Sequence, residues 1–200
     1  MSTLNSLTQE DLGSAAQRER RKRILDATIS LASGGGFDAV QMRAVADQAE
    51  VALGTLYRYF PSKIHLLVSA LGREFEQTRA AMAGREIPGD TVEERVMNVL
   101  ARTTTMLQKD PNLTEALTRA FMFADATVST EIHHVGMMMT GFLTNAMGTA
   151  TDGEPTEEEI AIARVIGDVW LSSLVGWVTG RATSEDVEKS MRMAVHLLLR

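Results

Sequence analysis

The sequence predicts an all-α protein of nine helices, a three-helix N-terminal domain built on a helix-turn-helix followed by a larger helical body. Three observations carry that prediction. Apolar residues recur at helical spacing almost throughout, and no stretch alternates with the period of two that a half-buried strand needs. Residues 36 to 63, GFDAVQMRAVADQAEVALGTLYRYFPSK, read as two short helices joined by a tight turn, with a third starting at once. Charge is also divided unevenly. From Ser14 to Lys63, eight Lys/Arg face five acids, a balance of +3, so the rest of this −6 chain carries −9. A basic front on an acidic body is the asymmetry of a nucleic-acid-binding module joined to a non-binding domain.

Each element has a local cause. Ile24, Ala27, Ile29 and Leu31 set the first helix from Arg20 to Ser33, and the run Gly34, Gly35, Gly36 stops it. Met42, Val45, Ala46 and Ala49 mark the second, with Asp47 and Gln48 outward. Residues 50 to 52 turn. The third runs from Leu53 to Phe60, and Pro61 forbids its continuation. Ser62 then caps a long helix from Lys63 to about Met82. GREIPGD, 84 to 90, is the clearest linker. Further helices are expected over 91–109, from the Asp110-Pro111-Asn112 cap to about Ala126, over 128–149, from the acidic first turn after Pro155 to about Gly180, and from Ser184 to Leu199. TDGEPT, 151 to 156, is a loop. The domains expected are a flexible tail over 1–15, the helix-turn-helix domain over 16–63, and a ligand-binding and dimerisation body over 64–200.

The bulk numbers agree with this division. Two hundred residues with a hydrophobic fraction of 44% can bury a core unaided. The N-terminus is polar and unlike a signal peptide, and apolar runs are broken short of the ~18 residues a spanning helix needs, so no membrane partner is expected. With no cysteine, disulfides and thiolate metal sites are excluded. A cytoplasmic protein is the expectation.

The third helix exposes polar groups and aromatics where a core helix would carry aliphatics, as a helix inserted into a DNA groove does. Leu56 and Phe60, four apart, take its buried side. Leu53 opens it, and Gly54 leaves the backbone free to approach a phosphate or a thymine methyl. Thr55 can bond a base or a phosphate. Tyr57 and Tyr59 offer hydroxyls to phosphate and sugar, beside Arg58. Lys63 opens the next helix, where dipole and ammonium together suit a phosphate. Arg43 can fork onto guanine O6 and N7. The run from Arg18 to Arg23, with Arg20, Arg21 and Lys22, is either a basic arm on the DNA or the solvated first turn of helix one.

The residues Met42-Arg43-x-Val-Ala-x-x-Ala49, then Gly54-Thr55-Leu56-Tyr57-x-Tyr59-Phe60-x-Ser62-Lys63, resemble the DNA-binding signature of TetR-family regulators. The resemblance implies a homodimer on double-stranded DNA with a palindromic operator, an effector pocket in the body, and repression relieved by ligand. By position, Arg43, Thr55, Tyr57, Tyr59 and Lys63 match residues that touch DNA in the family. Over its whole length the chain is most similar to the actinobacterial regulators of sterol catabolism. That implies a hydrophobic effector, an intermediate of steroid side-chain breakdown carried as a coenzyme A thioester. Two departures stand in the turn. Glu50 occupies the position of a glycine, at a cost of ~1 kcal/mol, and Ala52 replaces the serine that would cap the reading helix and touch phosphate. Gln41 likewise stands where Ser or Thr commonly caps.

In the body, Met97, Met106, Met122, Met137, Met138, Met139 and Met147 lie near Phe121, Phe123 and Phe142. Methionine adapts its shape, so such a cluster suits a bulky apolar ligand, though an ordinary core uses the same residues. The expected pocket is Leu100, Thr103, Thr104, Leu107, Phe121, Met122, Met138, Phe142, Trp170 and Leu174. Arg119 either meets a ligand carboxylate or faces solvent. The last two helices offer a four-helix dimer seam through Val165, Gly167, Trp177, Val187, Met191 and Val195, unless those stripes close the monomer core. His133 and His134 are adjacent, so on a helix they point about 100° apart. Like His65 and His196 they are expected to face solvent, and no metal site, cofactor or catalytic constellation is expected. Two rivals stay open: an all-α enzyme or carrier of acyl thioesters, and a repressor sensing a protein partner.

Overall fold

In a computed structural model, residues 9–148 and 154–199 are described, with side chains from Ala15 onward. The start of the expected tail and the first half of the 151–156 loop lie outside them. Among the described residues there are nine α-helices and no strand: α1 Gln9–Ala39, α2 Met42–Gln48, α3 Leu53–Tyr59, α4 Lys63–Met82, α5 Val92–Gln108, α6 Pro111–Met122, α7 Ser129–Met147, α8 Glu157–Val178 and α9 Ser184–Leu198.

The locally signalled boundaries hold. Ser62 Oγ accepts from the His65 N–H at the start of α4. Asp110 caps α6, with Pro111 in its first turn. Thr91 with Glu94, Thr156 with Glu159 and Thr183 with Asp186 form reciprocal capping boxes at α5, α8 and α9, each satisfying amides that the helix itself cannot.

Two boundaries differ. Helix α1 begins at Gln9 rather than near Arg20, taking in residues 9–15 that the tail was expected to hold. Its regular geometry still fails within the glycine run, at Gly35 (φ −168°, ψ 28°) and Gly36 (φ 67°, ψ −160°), before a last turn reaches Ala39. Helix α6 stops at Met122, four residues early. Asp125 Oδ1 there accepts from the Thr127 N–H and hydroxyl at 2.9 and 2.6 Å, closing a 3-10 turn, Ala126–Val128, that competes with the helix.

Helix α4 lies at the centre. Its residues from Leu66 to Gly72 are buried on every side, which places it among other helices and not on a surface. It packs on α1, α6 and α7, while α8 packs on α6, α7 and α9. Helix α8 is long and apolar enough to cross a membrane by composition, although Arg164 and Asp168 interrupt it. Its stripe Ala163, Ile166, Trp170 and Leu174 is buried in the protein core.

The N-terminal domain is tied to the body around Phe37. Its N–H donates to Glu115 Oε2 at 2.8 Å, and the Lys63 ammonium and Arg119 guanidinium sit 3.8 and 4.4 Å from its ring centroid. Arg119 also reaches Asp38 at 3.3 Å, and Asn112 Nδ2 donates to the Ser33 carbonyl at 3.0 Å. Further along, Arg73 on α4 holds Asp26 on α1 at 2.6 Å.

Gly36 is required here twice over: its φ is positive, and a Cβ would stand 2.7 Å from Glu115 Oε2. We expect Gly36→Ala to cost at least about 2 kcal/mol in urea unfolding, since the left-handed backbone alone costs about 1–2 kcal/mol. Glu115→Ala should cost about 1–3 kcal/mol by leaving the Phe37 N–H without its partner. Unchanged midpoints in both would show that this junction contributes little.

Candidate nucleic-acid interface and apolar cavity

The turn between α2 and α3 closes through backbone bonds from Ala49, Glu50 and Val51 to the carbonyls of Val45, Asp47 and Ala46. Glu50 stands in it at φ 54°, the one non-glycine residue with positive φ among those described. Its carboxylate lies 3.8 Å from Arg23 but is highly exposed, so the pair offsets little of the backbone cost. Ala52 occupies the N-cap of α3 and Gln41 that of α2, neither with a side-chain cap bond. Both turn departures are therefore structural facts.

Leu56 and Phe60 are buried at 0% and 3% exposure and pin α3 to its domain. The opposite face carries Gly54, Tyr57 and Arg58 to the surface, with Leu53, Thr55 and Tyr59 half-buried at its edges. Nothing lies within 4 Å of a Cβ built at Gly54, so that backbone is open to close approach. Arg43 is exposed in the first turn of α2. On α1, Arg20 is half-buried, Arg21 is exposed with its guanidinium 5.5 Å from the Phe60 ring centroid, and exposed Lys22 pairs with Asp26 at 3.8 Å. Residues 20–23 are thus helical.

Lys63 differs from the simple expectation. Its ammonium lies against Phe37, and burial holds its pKa below the usual lysine value, with Arg119 adding to that and Asp38 and Glu115 opposing it. Arg119, expected either to meet a ligand carboxylate or to face solvent, is part of the same junction. His65 is also engaged: Nδ1 meets Ser62 Oγ at 2.9 Å and Nε2 the Thr127 carbonyl at 3.0 Å. His133 and His134 are exposed, the latter 3.0 Å from Glu76, and His196 lies 3.5 Å from Glu93. No metal-ligating cluster is found among the described residues.

The body carries a partly open cavity of about 310 Å³ walled by α4, α6, α7 and α8 with Leu107 of α5, at the lower end of ligand-pocket sizes. Of the expected residues, Leu107, Phe121, Trp170 and Leu174 line it. Met138 and Phe142 are buried just behind, with Phe142 edge-on to Phe75 at 5.9 Å. The others are elsewhere. Leu100 and Thr104 line a separate cleft between α5 and α9, and Thr103 turns inward to bond the Val99 carbonyl. Met122 is 56% exposed. Periodicity identifies an apolar face but not which of several cavities it meets.

Leu71 and Phe75 of α4, Thr114, Leu117 and Thr118 of α6, and His133, Arg164 and Asp168 were not anticipated in the wall. The i, i+4 pair Leu71 and Phe75 was visible as a stripe, whereas the charged residues carry no sequence signal that they stand at a cavity.

The expected seam is corrected in part. Val187, Met191 and Val195 are almost fully buried within the monomer, because α9 lays that stripe against α5 and α8. Gly167 faces the cavity, with its built Cβ 3.7 Å from Met139 Cγ. Trp177 is half-buried, and Val165 at 47% stays outward, as do Met193 at 59% and Leu197 at 56%.

Residues 24–70 match the family described as bacterial regulatory proteins, tetR family, and residues 89–198 match the tetracyclin repressor-like C-terminal domain. The chain is 54% identical over 199 residues to the HTH-type transcriptional repressor KstR of Mycolicibacterium smegmatis, covering 100% of this chain and 96% of that one. It is 57% identical over 194 residues to KstR of Rhodococcus jostii, covering 97% and 89%. In three dimensions it resembles a TetR transcriptional regulator from Rhodococcus sp. RHA1, with TM-score 0.84, 32% identity, and coverage of 92% and 97%.

The turn chemistry is testable on its own. Glu50→Gly should raise stability by about 0.5–1 kcal/mol, the left-handed cost less the extra freedom of an unfolded glycine. Ala52→Ser should add about 1 kcal/mol by capping α3. Thermal denaturation of each variant reads both, and a loss at position 50 would mean that the glutamate makes a compensating contact.

Proposed function

The chain belongs to the TetR family of transcriptional repressors, and from that we propose that two copies hold a palindromic operator in the cytoplasm and release it when a hydrophobic effector enters the body. The observation that carries this reading is the continuity of α4. It starts at Lys63, directly after the reading helix, and runs unbroken to Leu71 and Phe75 in the cavity wall. A ligand that moves the wall therefore moves the base of the DNA-reading domain. Helix α6 supports the same coupling from a second side, since Thr114, Leu117 and Thr118 line the cavity while Glu115 and Arg119 hold Phe37.

In this reading Arg43, Thr55 and Tyr57 meet the bases and Tyr59 the phosphates. Lys63 exchanges the Phe37 ring for a phosphate, and Arg20, Arg21 and Lys22 supply further positive charge along α1. The protomers join through the outward faces of α8 and α9, where Val165, Met193 and Leu197 remain exposed and Trp177 is half-buried. Two-fold symmetry then sets the reading helices about one DNA turn, ~34 Å, apart. The effector is a steroid-derived coenzyme A thioester and the regulated genes serve sterol catabolism, as with the regulators that the whole sequence resembles. An apolar cavity with His133 and Arg164 beside it suits a greasy body with an anionic head. Switching needs only a few kcal/mol of preference for the non-binding spacing of the two heads.

Gel-shift titration against an upstream palindrome tests the reading. Arg43→Ala should weaken binding by about 1–3 kcal/mol if it forks onto guanine, and Tyr57→Phe by less. Cholestenoyl coenzyme A should abolish the shift. Binding indifferent to sequence, or undiminished in both variants, would overturn the assignment of the reading face. A shift unaffected by saturating thioester would overturn the effector class instead.

A further inference from the structure

We propose that the cleft between α5 and α9 is a second chamber of the effector site, closed from the first by the hydrogen bond between Trp170 and Thr104. This rests on the effector reading above. The cleft has a volume of about 280 Å³, close to that of the first cavity. Trp170 forms part of the first cavity's wall, and its Nε1–H donates to Thr104 Oγ1 at 2.8 Å, while Thr104 lines the cleft. One indole and one threonine therefore stand between two spaces. Their single bond is the polar contact that keeps the partition shut, and such a bond contributes little net free energy against a ligand that offers a replacement acceptor.

The chambers differ in charge. His133 and Arg164 stand at the first, beside Asp168. The charged residues of the second are Glu185 and Glu188, which pair with Lys189 and Arg192 at 2.8 and 2.6 Å. Neither of those cations lines the chamber. An anionic head is therefore disfavoured in the second chamber and leaves past His133 and Arg164. The second chamber takes the neutral far end of an elongated ligand, a ketone or hydroxyl that Thr105 and Gln108 can bond. Short apolar molecules fill only the first cavity. Trp170 and Thr104 thus select effectors by length.

Equilibrium dialysis of the full chain with two probes tests this, using androstenedione as the short steroid ketone and cholestenone as the long one. Thr104→Val keeps the side-chain shape and removes the acceptor. It should tighten cholestenone roughly two- to tenfold by raising the open population, and leave androstenedione unchanged. Ala101→Phe fills the second chamber from an exposed position on α5 and should weaken cholestenone at least tenfold with no effect on androstenedione. Equal responses of both probes, or a cholestenone affinity indifferent to both variants, overturn the second chamber. Androstenedione binding without any cholestenone binding overturns it too and leaves the effector reading standing. If neither probe binds any form of the protein, the second chamber is overturned as well, while the thioester gel shift decides the effector reading separately.

Discussion

The hydrogen bond from the backbone N–H of Phe37 to Glu115 ties the N-terminal helices to the body. A backbone amide drawn away from water needs a partner, and this half-buried one is paired with a carboxylate 78 residues away. The bond requires the chain to reverse at Gly36 with a positive φ and no side chain. It brings together the end of α1, the middle of α6 and the start of α4, and the ring of the same residue then receives Lys63 and Arg119. Removing the glycine, the carboxylate or the ring would loosen the N-terminal helices from the body at this point, although one continuous buried cluster still joins them.

That junction and the cavity share two helices. Helices α4 and α6 each present one face to the cavity and another to the N-terminal domain, so neither can shift at one end alone. Close-packed interiors do not deform continuously. A ligand that spreads Leu71, Phe75 and Leu117 must be accommodated by rotating or sliding whole helices. The weak element is the reading domain's own turn, where Glu50 is strained and α3 lacks a cap. A domain that must reorient on two helices tolerates such softness better than a rigid core would.

The partition around Trp170 belongs to the same economy. A buried indole N–H must find an acceptor, and here it finds one across the body on α5. The aromatic contacts of Phe75 with Phe142 and Trp170 make one connected group of α4, α7 and α8.

Most helix boundaries and the buried and exposed sides of α3 were legible from residues alone. Ser62 and Asp110 act over one turn of chain, so their consequences appear beside them in the sequence. The strained Glu50 and uncapped Ala52 were legible for the same reason. What lay outside the sequence was the choice of partner for each apolar stripe. Val187, Met191 and Val195 suited a dimer seam as well as a core, and only packing against α5 and α8 placed them inside. Leu107 entered the cavity while Thr104, one turn away, entered its neighbour. Arg119 and Lys63 converged on Phe37 although nothing near either residue announces it. Helical periodicity follows from the geometry of a few residues, but which face meets which is decided by contacts between segments dozens of residues apart. The sequence therefore determined that this chain carries a DNA-reading head on a helical body. Only the tertiary structure decided where the two are joined and which walls enclose the cavity.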